Sequence, residues 1–417
     1  MSREERLHFD AQTLPNGITV YSHAMDVPFF SIYVQAPVGS VNSHKMNPGG
    51  MPGIAHFLEH MLFNRSKLYP EKDSFNKLIR FKGSYWNATT YARHTEVYVD
   101  APFEIQEEVV EGLLDHFINP IFTEEDAGIE RTVVANERNQ RRYYPAKTEL
   151  GEYLYREWMF DVPYSKEQLF GSDDDLKATT HEHLTTFMKS YFTPGTRIVV
   201  GGGHNLAPIL EAVAKIPTED HSLIEQTQPA RWTNREFHTK EFEELQSPIY
   251  YLGGITSSFS NEESYALGFA LKLLTNSVHG PLYDWTRKKK GWTYGISFNK
   301  WISTDRTAWQ MRMPLNEPGR VDDIRGEIHD RIVEAFQDPT LISREAERLR
   351  CGDLFSFQTL DDRMDSALGT LRTHDRIVTE REYLDLLEKS ATSDVLMKIY
   401  EKYMAPSVLG EFMALPK

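Results

Sequence analysis

The sequence predicts an α+β protein made of two homologous α/β sandwich domains, each a mostly antiparallel sheet covered by helices. One observation is a long internal repeat, in which the strand-like run SIYVQAPV from Ser31 has a counterpart in PIYYLGGI from Pro248. The other is that an apolar helical segment follows each run, IAHFLEHMLF in the first half and SYALGFALKLL in the second. A repeat this long indicates a duplicated domain, because solenoid repeats have periods of about 20–50 residues. Strands mixed with helical hairpins are typical of a sandwich.

The later elements of the two halves follow the same order. The runs FNKLIRFKGSYWNATTY and LYDWTRKKKGWTYGISF each predict a helix that ends in basic residues and a glycine, followed by a strand. An amphipathic helix comes next in each half and closes on FINP or FQDP, whose prolines, Pro120 and Pro339, lie 219 residues apart. Thr123 and Ser343 then stand where helix N-caps are expected.

The boundary between the two domains is expected in the polar stretch from Pro217 to Glu236. This stretch has two prolines and little hydrophobic periodicity, as is typical of a linker. The sequence therefore predicts a first domain at residues 1–222, a linker at 223–236 and a second domain at 237–417.

Charge and composition exclude several classes of protein. The net charge of −15 over 417 residues disfavours nucleic acid as a partner, because nucleic-acid binding needs a basic surface. The single cysteine, Cys351, excludes an intramolecular disulfide and a cysteine-rich metal site. No run approaches the roughly 18 apolar residues of a membrane helix, and MSREERLHFD lacks a secretory signal. We expect a soluble, cytoplasmic protein with no membrane or nucleic-acid partner.

The run GIAHFLEHMLF contains the pattern HxxEH, formed by His56, Glu59 and His60. Helix positions four apart lie on one face, so the two imidazoles would face one metal ion. Glu59 follows His56 by three residues and flanks the same face. This is the arrangement of ligands and base in a zinc hydrolase, with the order of the HExxH motif reversed.

Two glutamates on a later helix are candidates to join this motif. Glu130 and Glu137 lie seven residues apart in GIERTVVANERNQRR, two helical turns, so they share a face. Val133 and Val134 are expected to pack between them on the core side. By themselves two such glutamates are usually surface residues, and their interest comes from the HxxEH motif.

These motifs together resemble the pitrilysin/insulinase family of inverted-zincin metallopeptidases. The resemblance is carried by HFLEH, a gap of 76 residues and ERTVVANE, and it extends over nearly the whole chain through LPNGITVY, NATTYARHTEVYV and RKKKGWTYGISF. The length is similar to that of the short dimeric members, the mitochondrial processing peptidase subunits and the bacterial peptidases of this group.

The resemblance implies a zinc site with one Zn²⁺ per chain. Glu137 would complete a His/His/Glu ligand set with His56 and His60 and leave a fourth position for water. Glu59 would act as the general base on that water. Glu130 would support a ligand imidazole through a hydrogen bond, although a solvated helix face is the alternative for this residue. Cobalt or manganese could replace zinc in vitro.

The resemblance also implies residues that bind the substrate. The pair Asn87 and Ala88 would lie on an edge strand and bind the peptide as an added strand. The alternative is an ordinary strand that happens to match a glycosylation sequon. Arg287 and Tyr294 would hold the substrate backbone and stabilise the tetrahedral intermediate. A solvated basic helix end is the alternative for the run from Arg287 to Lys290.

The sequence as a whole predicts a zinc-dependent endopeptidase that hydrolyses peptides or unfolded segments in a closed chamber. Each chain carries one zinc motif and one Arg/Tyr pair, so a homodimer with composite active sites is the simplest arrangement. Two alternatives remain open, a non-catalytic partner subunit of the same superfamily and a peptidase that works only as a heterodimer with a divergent partner.

Overall fold

The computed structural model describes residues 6–45, 51–142, 158, 169–189, 193–218, 237–243, 245–256, 260–303, 306–353 and 355–417. Two β-sheets with helices packed on them form an α+β fold, as the sequence predicts. The predicted linker at 223–236 lies outside the described residues. Within the described part of the chain, no helix has the length and apolar character required to cross a membrane.

The first sheet has six strands in the order β1-β2-β6-β3-β5-β4. β2 and β6 pair in parallel, and the other neighbours are antiparallel. β4 is therefore an edge strand among the strands described. The strands are β1 (Asp10–Thr13), β2 (Thr19–Ala24), β3 (Phe29–Ala36), β4 (Tyr85–Thr90), β5 (Thr95–Pro102) and β6 (Arg197–Gly202).

Among the residues described, the second sheet repeats this topology without a counterpart of β1. Its order is β7-β11-β8-β10-β9, and its parallel pair, β7 and β11, corresponds to β2 and β6 of the first sheet. The internal repeat seen in the sequence is thus a repeat of strand order and strand direction. The strands are β7 (His238–Phe242), β8 (Ile249–Thr256), β9 (Ser297–Ser303), β10 (Arg306–Pro314) and β11 (Gly410–Pro416).

The helices also follow one order in the two halves, with α1 to α4 matched by α8 to α11. Those of the first half are α1 (Ile54–Leu62), α2 (Ser74–Phe81), α3 (Gln106–Ile118), α4 (Glu124–Arg142), α5 (Asp173–Ala178), α6 (His181–Met188) and α7 (Leu206–Ala214). Those of the second half are α8 (Asn261–Thr275), α9 (Pro281–Tyr283, continued by a π-helical segment Asp284–Lys289), α10 (Arg320–Gln337), α11 (Pro339–Asp353), α12 (Leu360–His374), α13 (Glu380–Ser390) and α14 (Ser393–Ile399, continued by a π-helical segment Tyr400–Met404). Short 3₁₀ segments span Ser40–Lys45 and Phe103–Ile105.

Each sheet packs its own helices on one face. Residues from the other half of the chain pack on its opposite face. The first core includes Ile32 of β3 and Leu58 of α1, and a separate second core lies under the second sheet. α12 belongs to the second half but packs its Met364 against Val199 on the other face of the first sheet. Trp158 of the first half contacts Phe412 of β11 in return.

Two expectations about local structure prove wrong. Ser343 lies inside α11, which begins at Pro339, and the Asp338 carboxylate caps it by accepting the Thr340 N–H at 2.8 Å. Proline suits the first helical position because it has no N–H to satisfy, so the helix starts one turn earlier than expected. Thr123 does cap α4, where its hydroxyl accepts the Asp126 N–H at 3.1 Å.

The other wrong expectation concerns the two valines of α4. Val134 is fully buried, but 43% of Val133 is exposed. Residue 134 lies four after Glu130 and three before Glu137 and so shares their face, whereas residue 133 is rotated by about 100° away from it.

Candidate metal centre

Helix α1 carries His56, Glu59 and His60 and begins where only glycine fits. Gly53 precedes the helix with a φ of 86°, which favours glycine. A Cβ at this position would lie 2.5 Å from the backbone of Phe170. The close approach brings Phe170 against the His56 ring, with the ring centroids 4.9 Å apart and the rings nearly perpendicular. The start of the helix and the first imidazole are therefore positioned together.

Three side chains converge between α1 and α4. The Nε2 atoms of His56 and His60 each lie 3.5 Å from the same oxygen of Glu137, Oε2. The two imidazole centroids are 4.7 Å apart, and the rings are inclined at 72°. Among the residues described, this is the group of histidine, cysteine and acidic side chains whose ligand atoms, all within 4.8 Å of one another, could hold a metal ion.

The spacing of these donors fits a zinc ion. Donors bound to zinc at about 2.0–2.1 Å in a tetrahedral arrangement lie about 3.4 Å apart, close to the 3.5 Å between each imidazole nitrogen and the carboxylate. Two imidazoles and one carboxylate are also a ligand set of catalytic zinc sites, which keep a fourth position for water.

Glu59 lies beside the two histidines, is only 8% exposed and accepts a hydrogen bond from the Thr90 hydroxyl of β4. Burial raises the pKa of Glu59, and the hydrogen bond from Thr90 opposes the rise without cancelling it. A carboxylate with a raised pKa is a better proton acceptor near neutral pH than an exposed one.

Glu130 supports the second imidazole from behind. Its Oε2 lies 3.4 Å from His60 Nδ1, and its Oε1 accepts long hydrogen bonds of 3.4 Å from Lys72 Nζ and Asn64 Nδ2. Burial opposes the charged imidazole, but the carboxylates of Glu130 and Glu137 outweigh it and raise the pKa of His60 to about 9. A second carboxylate placed in this way holds the ligand ring in one orientation and one tautomer.

A cleft of about 540 Å³ opens over these residues, and β4 forms one of its walls. Asn87 and Ala88 lie on β4 and line the cleft. β4 pairs with β5 on its inner side and is an edge strand on its outer side among the strands described, so a peptide backbone could pair there. The substrate-binding role of Asn87 and Ala88 stays a prediction.

Arg287 and Tyr294 lie together in the second half. The Arg287 guanidinium carbon sits 5.0 Å from the centre of the Tyr294 ring, a cation–π contact. Arg287 is exposed, and 81% of Tyr294 is exposed. Neither residue is among those described as lining the cleft over the metal ligands. Their catalytic role stays a prediction.

Several residues of the site are absent from the sequence-based prediction. Thr90, Lys72, Asn64 and Phe170 contact Glu59, Glu130 or His56, but each belongs to a different segment. Asn64 lies only four residues after His60, but no short motif links Thr90, Lys72 or Phe170 to HxxEH. The one available signal for Thr90 was its place two residues after Ala88 on the predicted substrate strand, which puts its side chain on the same face.

Both halves of the chain match models of a single family. The family model described as Insulinase (Peptidase family M16) matches residues 19–165, and the one described as Peptidase M16 inactive domain matches residues 178–341. The first match contains all of the proposed metal ligands, and the second contains the Arg/Tyr pair.

Individual relatives cover the chain to different extents. The insulin-degrading enzyme-like 1, peroxisomal, of Arabidopsis thaliana is 29% identical over 181 residues, which are 41% of this chain and 18% of that protein. The chain thus matches less than a fifth of the length of this relative. An uncharacterized zinc protease of Rickettsia bellii (strain RML369-C) is 23% identical over 301 residues, 70% of each chain.

A solved structure shows the same fold over the full length of both chains. A protease from Helicobacter pylori superposes with a TM-score of 0.81 at 16% identity and covers 98% of this chain and 99% of that one. Because both halves match models of one family, we conclude that the chain belongs to peptidase family M16, the insulinase or pitrilysin family.

Proposed function

We propose that this protein is a zinc-dependent endopeptidase that holds one zinc ion per chain. The observation that carries the proposal is the convergence of two imidazoles and a distant carboxylate, with the Glu59 carboxylate beside them. A bound zinc ion would polarise the scissile carbonyl and lower the pKa of a water molecule to about 7.

The roles of the protein's own groups follow from their placement. His56, His60 and Glu137 would hold the metal, and Glu130 would orient the His60 ring through Nδ1. Glu59 would take the proton of the attacking water and later pass it to the leaving amine. Thr90 would keep one oxygen of Glu59 in place through its hydroxyl and leave the other oxygen for the proton.

The expected substrates are peptides and unfolded segments. A peptide that pairs with the outer edge of β4 has to be extended, because strand addition uses its main-chain N–H and C=O groups. The edge position of Asn87 and Ala88 above the metal ligands supports this mode of binding. Folded proteins should resist hydrolysis, since they cannot enter a closed chamber as an extended chain.

The Arg/Tyr pair supports a homodimer with composite sites. The residues described around the metal cleft come from the first half alone, whereas Arg287 and Tyr294 are exposed in the second half. A second copy could therefore bring its Arg287 and Tyr294 over the substrate, where a permanent charge and a phenol donor would stabilise the developing oxyanion. We also propose that the protein is located in the cytoplasm.

The central test combines metal analysis with a quenched fluorescent peptide library. The wild-type protein should contain about one zinc per chain and cleave peptides of the library. Glu59→Gln should retain its zinc and lose turnover by roughly 10²–10⁴-fold, the usual contribution of a general base. Turnover that persists in Glu59→Gln would remove Glu59 from the proposed mechanism, and wild-type protein without bound metal would refute the zinc site.

A mixed dimer tests whether the sites are shared between subunits. A Glu59→Gln chain is combined with an Arg287→Ala chain, and the heterodimer is isolated with two affinity tags. Shared sites predict about half of the wild-type activity, because one of the two sites then combines an intact Glu59 with an intact Arg287. Complete loss of activity would mean that Arg287 acts within its own chain.

The alternatives are a non-catalytic subunit and a peptidase that requires a divergent partner. Size-exclusion chromatography with light scattering, combined with the peptide assay on the purified chain, separates them. An active homodimer excludes both alternatives. A pure, zinc-loaded chain that cleaves none of the library would favour them.

A further inference from the structure

A second cavity, of about 430 Å³, lies in the second half between α8, α11 and α12. Its polar lining consists of hydroxyl and cationic side chains, together with the Asp353 carboxylate. The side chains used below are Tyr265, Lys272, Arg348, Ser366, Thr370 and Tyr383.

This cavity occupies the place in the second half that the metal cleft has in the first. α8 and α11 are the counterparts of α1 and α4 in the repeated order of elements, and each pair is in contact. Two lining residues, Leu349 and Ser356, stand 219 residues after Glu130 and Glu137, the same separation as between the repeated prolines. The duplicated cleft has therefore kept its position, with neutral side chains at the two places where the first cleft has Glu130 and Glu137.

One cation in this cavity has no counter-ion within ion-pair distance. Among the described residues, the Lys272 ammonium has neither a hydrogen bond nor an ion pair, and Glu345 attracts it only from a greater distance. The Glu345 carboxylate is already engaged by Arg348, at 2.6 and 2.8 Å, and by Asn276, at 3.1 Å. The Arg348 charge is thereby balanced, and the Lys272 charge is not.

Other charges near Lys272 make its position less favourable. Lys300 of β9 is also half-buried, and its ammonium donates to the Ser264 carbonyl at 2.7 Å rather than to a carboxylate. Burial and repulsion by Lys272 lower the pKa of Lys300 to about 8. The Asp353 carboxylate on the cavity wall is paired with Arg6 at 3.5 Å. Lys272 is half-buried, and an ammonium that is partly removed from water without a partner is less stable than one in solvent, so the site favours a negative charge near Lys272.

We propose that this cavity binds a small oxyanion, a phosphate or a carboxylate, with the Lys272 ammonium as its counter-ion. The hydroxyls of Tyr265, Tyr383 and Ser366 supply neutral donors around the same space, whereas the Thr370 hydroxyl already donates to the Ala367 carbonyl at 3.0 Å. The volume falls within the range of small-molecule sites and has room for the anion and its bridging waters. The second half would thus hold an anion at the place where, in the proposed function, the first half would hold a zinc ion.

The test measures melting temperature and heat of binding for the zinc-loaded full chain. Sodium phosphate and sodium succinate are each compared with sodium chloride at matched ionic strength. The variants are Lys272→Met, which keeps the aliphatic stem without the charge, and Lys272→Arg, which keeps the charge. Lys215→Met, at an exposed lysine after α7, is the matched control.

Millimolar phosphate or succinate should raise the melting temperature of the wild type and of Lys215→Met by about 2 °C or more above chloride. Lys272→Arg should retain most of this rise. Lys272→Met should lose it, bind the anion at least roughly tenfold more weakly by calorimetry, and melt higher than the wild type in chloride. A larger rise of the melting temperature in phosphate or in succinate indicates whether the cavity prefers a phosphate or a carboxylate.

Binding of an anion at the metal centre would not change in Lys272→Met. Loss of anion binding in this variant therefore assigns the anion to the cavity that contains Lys272. The proposal is overturned if neither anion exceeds chloride in the wild type. It is equally overturned if Lys272→Met and the wild type respond alike. Failure here leaves the peptidase assay unchanged, because none of these residues belongs to the proposed catalytic site.

Discussion

Glu130 offers the sharpest test of how the metal site is supported. The substitution Glu130→Gln keeps the shape of the side chain and a neutral acceptor, but removes the charge 3.4 Å from His60 Nδ1. The helix α4 should be unaffected, because Gln and Glu have similar helix propensities. The remaining contacts of this side chain, with Lys72 and Asn64, are long at 3.4 Å and contribute little to folding.

The expected magnitude follows from the position of the carboxylate. Glu130 is one of the three carboxylates, with Glu137 and Glu59, that raise the pKa of His60 to about 9, and it is a half-buried partner of this ring. Loss of such a partner usually weakens metal binding by roughly 10–100-fold, which corresponds to about 1.4–2.7 kcal/mol. Glu130→Ala, which also removes the acceptor, should fall at the upper end of this range.

The assay is zinc affinity by competition with a fluorescent chelator at pH 7, followed by kcat/KM of the fully loaded protein. Glu125→Gln is the matched control, because Glu125 lies on the same helix and is exposed to solvent. Zinc affinity of Glu130→Gln within twofold of the Glu125→Gln value would refute the supporting role. It would also favour the solvated-face interpretation of this glutamate.

Three further predictions concern catalysis, packing and pH. Thr90→Val should move the acid limb of the kcat/KM profile to higher pH. Burial raises the pKa of Glu59, and the Thr90 hydrogen bond that limits this rise is lost in the variant. An acid limb at the wild-type pH would contradict this prediction. In chemical denaturation, Gly112→Ala should destabilise the protein by about 1–3 kcal/mol, because the new Cβ would lie 2.2 Å from the Phe75 ring. Gly128→Ala should stabilise the protein by about 0.5–1 kcal/mol, because open space surrounds this helical position. Burial lowers the pKa of His374 from 6.5 to about 4, so the unfolded chain binds a proton there that the native protein does not, and stability falls as pH falls through this range. His374→Asn should show a smaller loss of melting temperature between pH 7 and pH 5, and equal losses would refute the assignment.

The wrong N-cap illustrates how far local signals reach. Ser343 matched the repeat by analogy with Thr123, but Asp338 and Pro339 form a stronger start one turn earlier. The analogy failed because the two halves have diverged locally while keeping their topology. The same divergence separates the metal cleft from its counterpart, where Leu349 and Ser356 stand in place of Glu130 and Glu137.

The sequence by itself determined what depends on short-range periodicity. The spacing of His56 and His60 places both rings on one face because an α-helix has 3.6 residues per turn, and the spacing of Glu130 and Glu137 follows from the same geometry. The order of strands and helices, and the duplication, were also readable, because each half repeats one pattern of apolar segments. The proposed third ligand, Glu137, was identified from the sequence through the family resemblance, since no local rule joins residue 137 to residue 60.

Only the tertiary structure decided which distant groups meet. Thr90 reaches Glu59 because β4 is placed beside α1 in the folded chain, and α12 covers the sheet of the other half because its apolar face finds Val199 there. The charge left unbalanced at Lys272 is also a property of packing, since it depends on which cation Glu345 pairs with. Such contacts depend on how whole elements pack in three dimensions, which the spacing of residues along one segment does not encode.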